Sequence, residues 1–426
     1  MSSGFLHELT WRGLLHQTTS PELAGHLTHG GRVAYCGFDP TSDSLTVGNL
    51  LPLTILARWQ HAGHRPIVVM GGATGSIGDP SGKSTERQLL GMDQVRSNVA
   101  SQRPVFEKLL EFSGRHAASI VDNADWLMRL GFVELLRDVG KHFTVNQMIA
   151  RDSVATRLES REQGISYTEF SYMILQAYDF LHLHRTAGCT VQLGGADQWG
   201  NICSGIDLIR RVGGAQAFGI TSQLVTKSDG TKIGKSESGA IYLNAARTSS
   251  YRFHQYWLNA SDEDAVKFLK WFTFFSKERI EGIAAEHSAA PAERAAQRAL
   301  ADEMTTMVHS EAEARRANEC GRALFGGDIR SLDAQGAQDV AGDLPGAAIG
   351  RGEFAGEGKG IIDALVEIAL ASSKREARDF LQAGAVQVNG AAATVESRIT
   401  AEHLLHGRYA FVRRGKRQWA VLQVAP

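Results

Sequence analysis

Two short segments of this 426-residue chain could grip one polyphosphate from two sides. Thr46-Val47-Gly48-Asn49 follows Tyr35-Cys36-Gly37-Phe38-Asp39-Pro40-Thr41 and stands where a helix opens. A helix N-terminus exposes unpaired N–H groups and a partial positive charge, so it attracts phosphate. Glycine at position 48 lets a nucleotide approach the backbone, and Thr41, Thr46 and Asn49 add hydroxyl and amide donors. Taken alone, the tetrapeptide also fits an ordinary helix cap. Far downstream, Lys232 and Lys235 lie in KSDGTKIGKSESG. Lysines with glycine neighbours can close on β- and γ-phosphates as charge builds in a phosphoryl or nucleotidyl transition state. A solvated charged loop has the same composition. A third group, Tyr172, Gln176 and Asp179 in EFSYMILQAYDF, is spaced to share one helical face. A polar stripe beside the apolar Met173, Leu175 and Phe180 is either a surface face or a lined pocket. A carboxylate next to a phenol and an amide suits an amino acid, one group for its ammonium and another for a side-chain hydroxyl.

Two patterns are look-alikes. Gly78-Asp79-Pro80-Ser81-Gly82-Lys83-Ser84 is one residue short of a phosphate-binding P-loop, and GGATGSIG lacks the context of a dinucleotide fingerprint. Both read as strand-end loops. The scattered histidines and four distant cysteines show no metal-ligand spacing, so no protein metal site is expected.

The elements that must position these residues are legible nearby. Arg32 to Phe38 reads as a buried strand, and Gly48 onward as a helix with Pro52 in its first turn. Arg65 to Met70 reads as a second strand. Strand, helix, strand at this spacing is a βαβ unit, which implies a parallel sheet covered by helices. Ligands on such sheets sit at the carboxyl ends of the strands, where Tyr35–Asp39 and Gly71–Asp79 fall. Residues 93–183 read as mostly helical. Strands are expected again at Thr190–Leu193 and Ser222–Thr226, and helices from about Arg247 to Leu324. Residues 326–360 hold ten of the chain's 45 glycines and read as a flexible linker. From Lys359 the chain carries ten Lys/Arg and six Asp/Glu, against a net charge of -1 overall. That local excess is the one compositional sign of a nucleic-acid partner. The first fifteen residues are too polar for a signal peptide, no apolar run approaches a membrane span, and the sparse cysteines suit a reduced cytoplasm.

In order, YCGFDPTSDSLTVGNL, GGATGSIGDPSGK, EFSYMILQAYDF, GGADQWGN and KIGKS resemble the pocket segments of the bacterial tyrosyl-tRNA synthetases, a class I aminoacyl-tRNA synthetase family. ALVEIALASSKREARDFLQAGAVQVNG is similar to an S4 RNA-binding domain. The resemblance implies a Rossmann-like doubly wound α/β catalytic domain over 1–246, with a helical insertion at about 93–183. It further implies an α-helical domain over 247–325, the linker over 326–358 and an S4-like α+β domain over 359–426. It implies activation of L-tyrosine with Mg-ATP, transfer to tRNA, and a homodimer. Carried residue by residue, it places Tyr35 and Asp179 on the substrate phenol, and Asp79, Tyr172 and Gln176 on the ammonium. Gln198 falls near the carboxylate and α-phosphate. Cys36, Gly37, Asp39, Gly48, Gly195 and Asp197 fall on ATP, and Thr41, Thr46, Asn49, Lys232 and Lys235 on the departing pyrophosphate. The first signature of the family usually reads His-Ile-Gly-His; both imidazoles are replaced here.

Overall fold

The computed structural model describes residues 4–79, 89–151, 154–155, 158, 165–224, 226–228, 230–231, 233–236 and 239–425, with backbone only at Lys235 and Ser236. Six strands form the main sheet: β1 (Leu15–Thr18), β2 (Val33–Phe38), β3 (Arg65–Met70), β4 (Ser119–Asp122), β5 (Cys189–Gly195) and β6 (Phe218–Ser222). Their order is β1-β6-β5-β2-β3-β4, parallel except for β1 against β6. β2 and β3 are almost continuously apolar because both of their faces are covered, as central parallel strands require. The chain runs from β2 outward to β3 and β4, then returns to the other flank of β2 with β5. The order therefore reverses beside β2, which opens a crevice at the carboxyl ends of β2 and β5.

Four helices matter for what lies in that crevice: α1 (Val47–His61), α2 (Met92–Leu109), α3 (Tyr167–Ala187) and α4 (Trp199–Gly213). α1 starts at Val47, so Pro52 falls in its second turn and not in the first, where its missing N–H would have gone unnoticed. α3 is capped by Ser166, whose hydroxyl accepts from Glu169 N at 3.2 Å, and it stops at Gly188 in the left-handed region. Phe180, Leu181 and Leu183 of α3 pack with Val33, Tyr35, Ile67 and Val69 of the sheet. The polar stripe of α3 thus faces inward: Tyr172 and Asp179 are buried and Gln176 is half-buried. That decides between pocket and surface.

Three element expectations need correction. The stretch 93–183 contains β4, which pairs with β3 from Ser119 to Asp122. It is a four-residue edge strand of intermediate burial, too short and too mixed to show a period. β1 escaped reading for the same reason. The strand expected at Ser222–Thr226 is Phe218–Ser222; Gln223 and Leu224 beyond it are exposed.

The chain divides into two compact units, Met1–Arg247 with Ser261–Ala296, and Thr248–Ala260 with Gln297–Pro426. The helices over 261–296 therefore pack with the sheet unit and not with a separate 247–325 domain. In the second unit the expected linker is ordered. It holds a helix (Ala334–Asp343) and β7 (Gly346–Ile349). β8 (Val386–Val388), β9 (Ala391–Ala392), β10 (Tyr409–Arg414) and β11 (Gln418–Val424) follow, and the sheet order is β9-β8-β10-β11-β7. Ile329, Leu332, Val340, Ile349 and Phe354, interleaved with the glycines, are buried. One of these glycines serves close approach: a Cβ at Gly346 would lie 2.2 Å from the Val421 carbonyl oxygen. Glycine density here reflects packing, not slack. Among the described residues no helix is long and apolar enough to cross a membrane.

Candidate active site

The crevice is a cavity of about 460 Å³, a size that suits small ligands. Its wall includes Tyr35, Cys36, Gly37, Asp39 and Thr41 from the end of β2, and Gly48 and Asn49 from α1. Asp79 comes from the loop after β3, Tyr172, Gln176 and Asp179 from α3, and Gly195, Asp197 and Gln198 from the end of β5. Of the residues singled out in the sequence, this brings fourteen together. Thr46 is not on the wall. Lys232 lies outside the described residues, as does the side chain of Lys235.

One end of the cavity is built around Asp179. Its two oxygens accept from Asn123 Nδ2 at 3.0 Å and from Trp126 Nε1 at 2.7 Å. Burial pushes the carboxyl up to about 7; the two hydrogen bonds oppose this, and the charges of Asp39 and Asp122 add to it. Tyr35 is fully buried, with its ring edge-on to Phe180 at 5.3 Å and its hydroxyl unpaired. Burial, then the Asp179 charge, holds this phenol far above its usual range, so it stays a donor. An unpaired buried hydroxyl beside a buried carboxylate leaves a place for one more hydroxyl.

Sequence reasoning missed Asn123 and Trp126. They follow β4 directly, and the only signal was a polar Asp-Asn next to a tryptophan after an unrecognised strand. It missed Thr74 as well. Thr74 donates from Oγ1 to Asp39 Oδ1 at 2.8 Å, and Asn123 Nδ2 donates to Thr74 at 3.0 Å. Tyr172 donates its hydroxyl to Asp39 Oδ2 at 2.8 Å, so Asp39 sits on the same network as the α3 stripe. Gly71 and Gly72 are required here. A Cβ on either would stand 2.0 Å from a carboxylate oxygen, of Asp39 and Asp122 respectively.

The middle of the cavity is a ladder of amides. Gln198 Nε2 donates to Asp79 Oδ2 at 2.7 Å, Gln176 Nε2 to Gln198 Oε1 at 3.1 Å, and Asn201 Nδ2 to Gln176 Oε1 at 2.8 Å. At the other end, burial pushes the Cys36 thiol up to about 12, so it is a neutral group there. The lysine loop descends on the start of α1. Ile241 N donates to the Gly234 carbonyl at 2.9 Å, and Val47 N to the Ile241 carbonyl at 3.1 Å. Gly234, at φ +81°, lies so close that a Cβ would stand 3.1 Å from Gly48 N. Among the described wall residues there are four carboxylates and no Lys or Arg. Such a wall favours an ammonium group and leaves a triphosphate in need of countercharge.

An inward-facing polar stripe, a strand-order reversal and a helix N-terminus met by Gly234 define a doubly wound α/β protein with its ligand crevice at the switch point. Residues 29–326 match the family described as tRNA synthetases class I (W and Y), and the chain belongs to it. Residues 339–422 match the Tyrosine--tRNA ligase SYY-like C-terminal domain. The Tyrosine--tRNA ligase of Geobacillus kaustophilus is 48% identical, over 99% of each chain. That of Roseiflexus castenholzii is 47% identical over 98% of this chain and 99% of its own. Among solved structures, the C-terminally truncated mitochondrial tyrosyl-tRNA synthetase of Coccidioides posadasii superposes with a TM-score of 0.66 at 31% identity. It covers 74% of this chain and 91% of its own.

Proposed function

We propose that the cavity binds L-tyrosine and Mg-ATP side by side and joins them before tRNA is charged. The activity is that of a tyrosine–tRNA ligase. In the first step the tyrosine carboxylate attacks the α-phosphorus, tyrosyl-adenylate forms and pyrophosphate leaves. In the second step the terminal ribose hydroxyl of tRNA attacks the adenylate. The carboxylate is already nucleophilic, so the protein acts by positioning and by charge stabilisation. Tyr35 donates to the substrate phenol oxygen and Asp179 accepts from it. Asp79, Tyr172 and Gln176 take the ammonium, and Gln198 stands beside the carboxylate. Cys36, Gly37, Asp39, Gly48, Gly195 and Asp197 flank ATP. Thr41, Asn49 and the lysines Lys232 and Lys235 meet the pyrophosphate. The acidic wall supports ATP entering with Mg²⁺ as part of the substrate.

The observation that carries this reading is the unpaired Tyr35 hydroxyl beside the doubly anchored Asp179. Phenylalanine would leave the Tyr35 hydroxyl unmatched, at a cost of about 1–3 kcal/mol for a buried polar group, and would offer no donor to Asp179. The test is tyrosine-dependent ATP–pyrophosphate exchange. Asp179→Ala is expected to raise the tyrosine KM at least about tenfold while the ATP KM stays within about twofold. Equal losses for both substrates refute the assignment.

Two further elements belong to the reading. Met128, Phe132, Val133, Leu136, Val145 and Ile149 are exposed between β4 and α3, with Val133 at 75%. An apolar surface of this kind supports a homodimer, checked by sedimentation of the full chain. In the second unit the helix Lys374–Gln382 buries Ala377 and Leu381 and exposes Lys374, Arg375 and Arg378, with Lys416 and Arg417 also exposed. These cations support tRNA binding. The four cysteines are all free thiols, which supports a reducing, cytoplasmic setting.

A further inference from the structure

We propose that Thr46 is a positioning residue that turns the Asn49 amide toward ATP, and is not itself a phosphate ligand. This rests on the assignment of the Gly48–Asn49 end of the cavity to ATP. A threonine hydroxyl has one proton, and that of Thr46 goes to Asn49 Oδ1 at 3.0 Å. The Thr46 backbone N–H donates to the same oxygen, also at 3.0 Å. Thr46 is off the cavity wall, whereas Gly48 and Asn49 line it. Its backbone is held in place, extended and bridged to Tyr242, with Val47 N donating to the Ile241 carbonyl.

An amide has an accepting end and a donating end. The flipped amide is disfavoured, because it would set Nδ2 against the Thr46 backbone N–H and leave the hydroxyl only its accepting role. The N–H groups of Asn49 are thereby aimed away from Thr46 before any nucleotide arrives, and less rotamer freedom is lost on binding. Position 49 then offers ATP a neutral donor of fixed direction. Thr46 supplies the direction through the amide oxygen.

The experiment is tyrosine-dependent ATP–pyrophosphate exchange on the full chain, with a thermal melt of each variant. Thr46→Val is expected to lower kcat/KM for ATP about tenfold, the effect of one lost orienting hydrogen bond, with the tyrosine KM within about twofold. Thr46→Ser restores the activity. Combining Thr46→Val with Asn49→Ala costs no more than Asn49→Ala alone, because the two residues act as one unit. Asn49→Asp keeps an acceptor for both Thr46 donors, so it melts at or above the wild-type temperature. It still loses more activity than Thr46→Val, since an anionic oxygen replaces the donor. The proposal is overturned by wild-type kinetics in Thr46→Val, by failure of Thr46→Ser to restore them, or by additive losses in the double variant. If Asn49→Ala leaves ATP use intact while exchange remains tyrosine-dependent, the ATP assignment itself falls. If Asn49→Ala is damaging and Thr46→Val is silent, only the role of Thr46 falls.

Discussion

Asp179 shows how far single residues can be read before a fold is known. Its place on a polar stripe with Tyr172 and Gln176 was visible in spacing alone, because a helix face that should be apolar was not. The groups that hold it, Trp126 and Asn123, lie 53 and 56 residues away and could not be found without the sheet that brings them in. Their company has a consequence for pH. Burial lifts this carboxyl from 3.8 to about 7, so in the unliganded enzyme it changes charge near neutrality. Its strength in the proposed role, as acceptor for the substrate phenol, should follow. We expect kcat/KM for tyrosine to rise with pH through about 7 and level off, with that limb absent in Asp179→Asn. The stability effect has the opposite sign. Between about 4 and about 7 the folded chain keeps a proton that the unfolded chain releases, so the contribution of this group falls as pH rises and is constant above that window. Denaturant unfolding of wild type and Asp179→Ala at about pH 5 and about pH 8 checks the sign: the balance shifts against wild type at the higher pH.

At the scale of elements, β2, α1 and β3 were legible nearly to the residue. The two strands are six residues each and almost wholly apolar, and the helix buries eleven of its fifteen residues. β1 and β4 were not, since a four-residue edge strand carries no period of its own. α1 deserves its length for another reason: its far end is tied down. Arg58 has no exposed surface, donates from Nη2 to the Thr273 carbonyl at 2.6 Å, and stands 3.4 Å from Glu8 Oε1. Arg12 shares that glutamate at 3.0 Å and reaches the Lys270 and Phe275 carbonyls, each at 2.8 Å. Burial, then the nearby Arg12, lowers the Arg58 guanidinium to about 9, which still leaves it charged at neutral pH. Removing it takes from the Thr273 carbonyl the nearer of its two donors, the other being Arg12 Nη1 at 3.1 Å, and leaves a large void. Arg58→Ala should therefore cost about 3 kcal/mol in urea unfolding, the scale for emptying the site of a large buried side chain. Since the cavity lies at the other end of α1, the tyrosine KM measured well below the melting temperature should stay within about twofold of wild type. A variant that unfolds normally but binds tyrosine poorly would place Arg58 in the site instead.

The whole molecule departs most from its sequence reading where glycine is densest. Composition alone made residues 326–358 a linker, because glycine counts as freedom unless something is known to press against it. Much of what presses against this stretch comes from distant segments, such as Val421 against Gly346 and Ile399 against Gly358, and from helices upstream, none of which a local window sees. Trp419 donates its indole N–H to the Leu324 carbonyl at 3.1 Å. Phe411, Trp419 and Val421 share one core with Tyr251, Ala317, Cys320, Leu332 and Val340. The tail is thus part of the second unit and not a bead on a string. A chain ending at Gly358 tests this. The described residues of the cavity wall all belong to the first unit, so pyrophosphate exchange should persist within about twofold while tRNA charging is lost. The cut also leaves β7 without β11 and uncovers the shared core. A freed apolar surface of that kind binds hydrophobic dyes and self-associates. If the shortened chain proves as monodisperse and as dye-silent as the full one, residues 326–358 are a tether after all, and the tail folds without the helices it touches here.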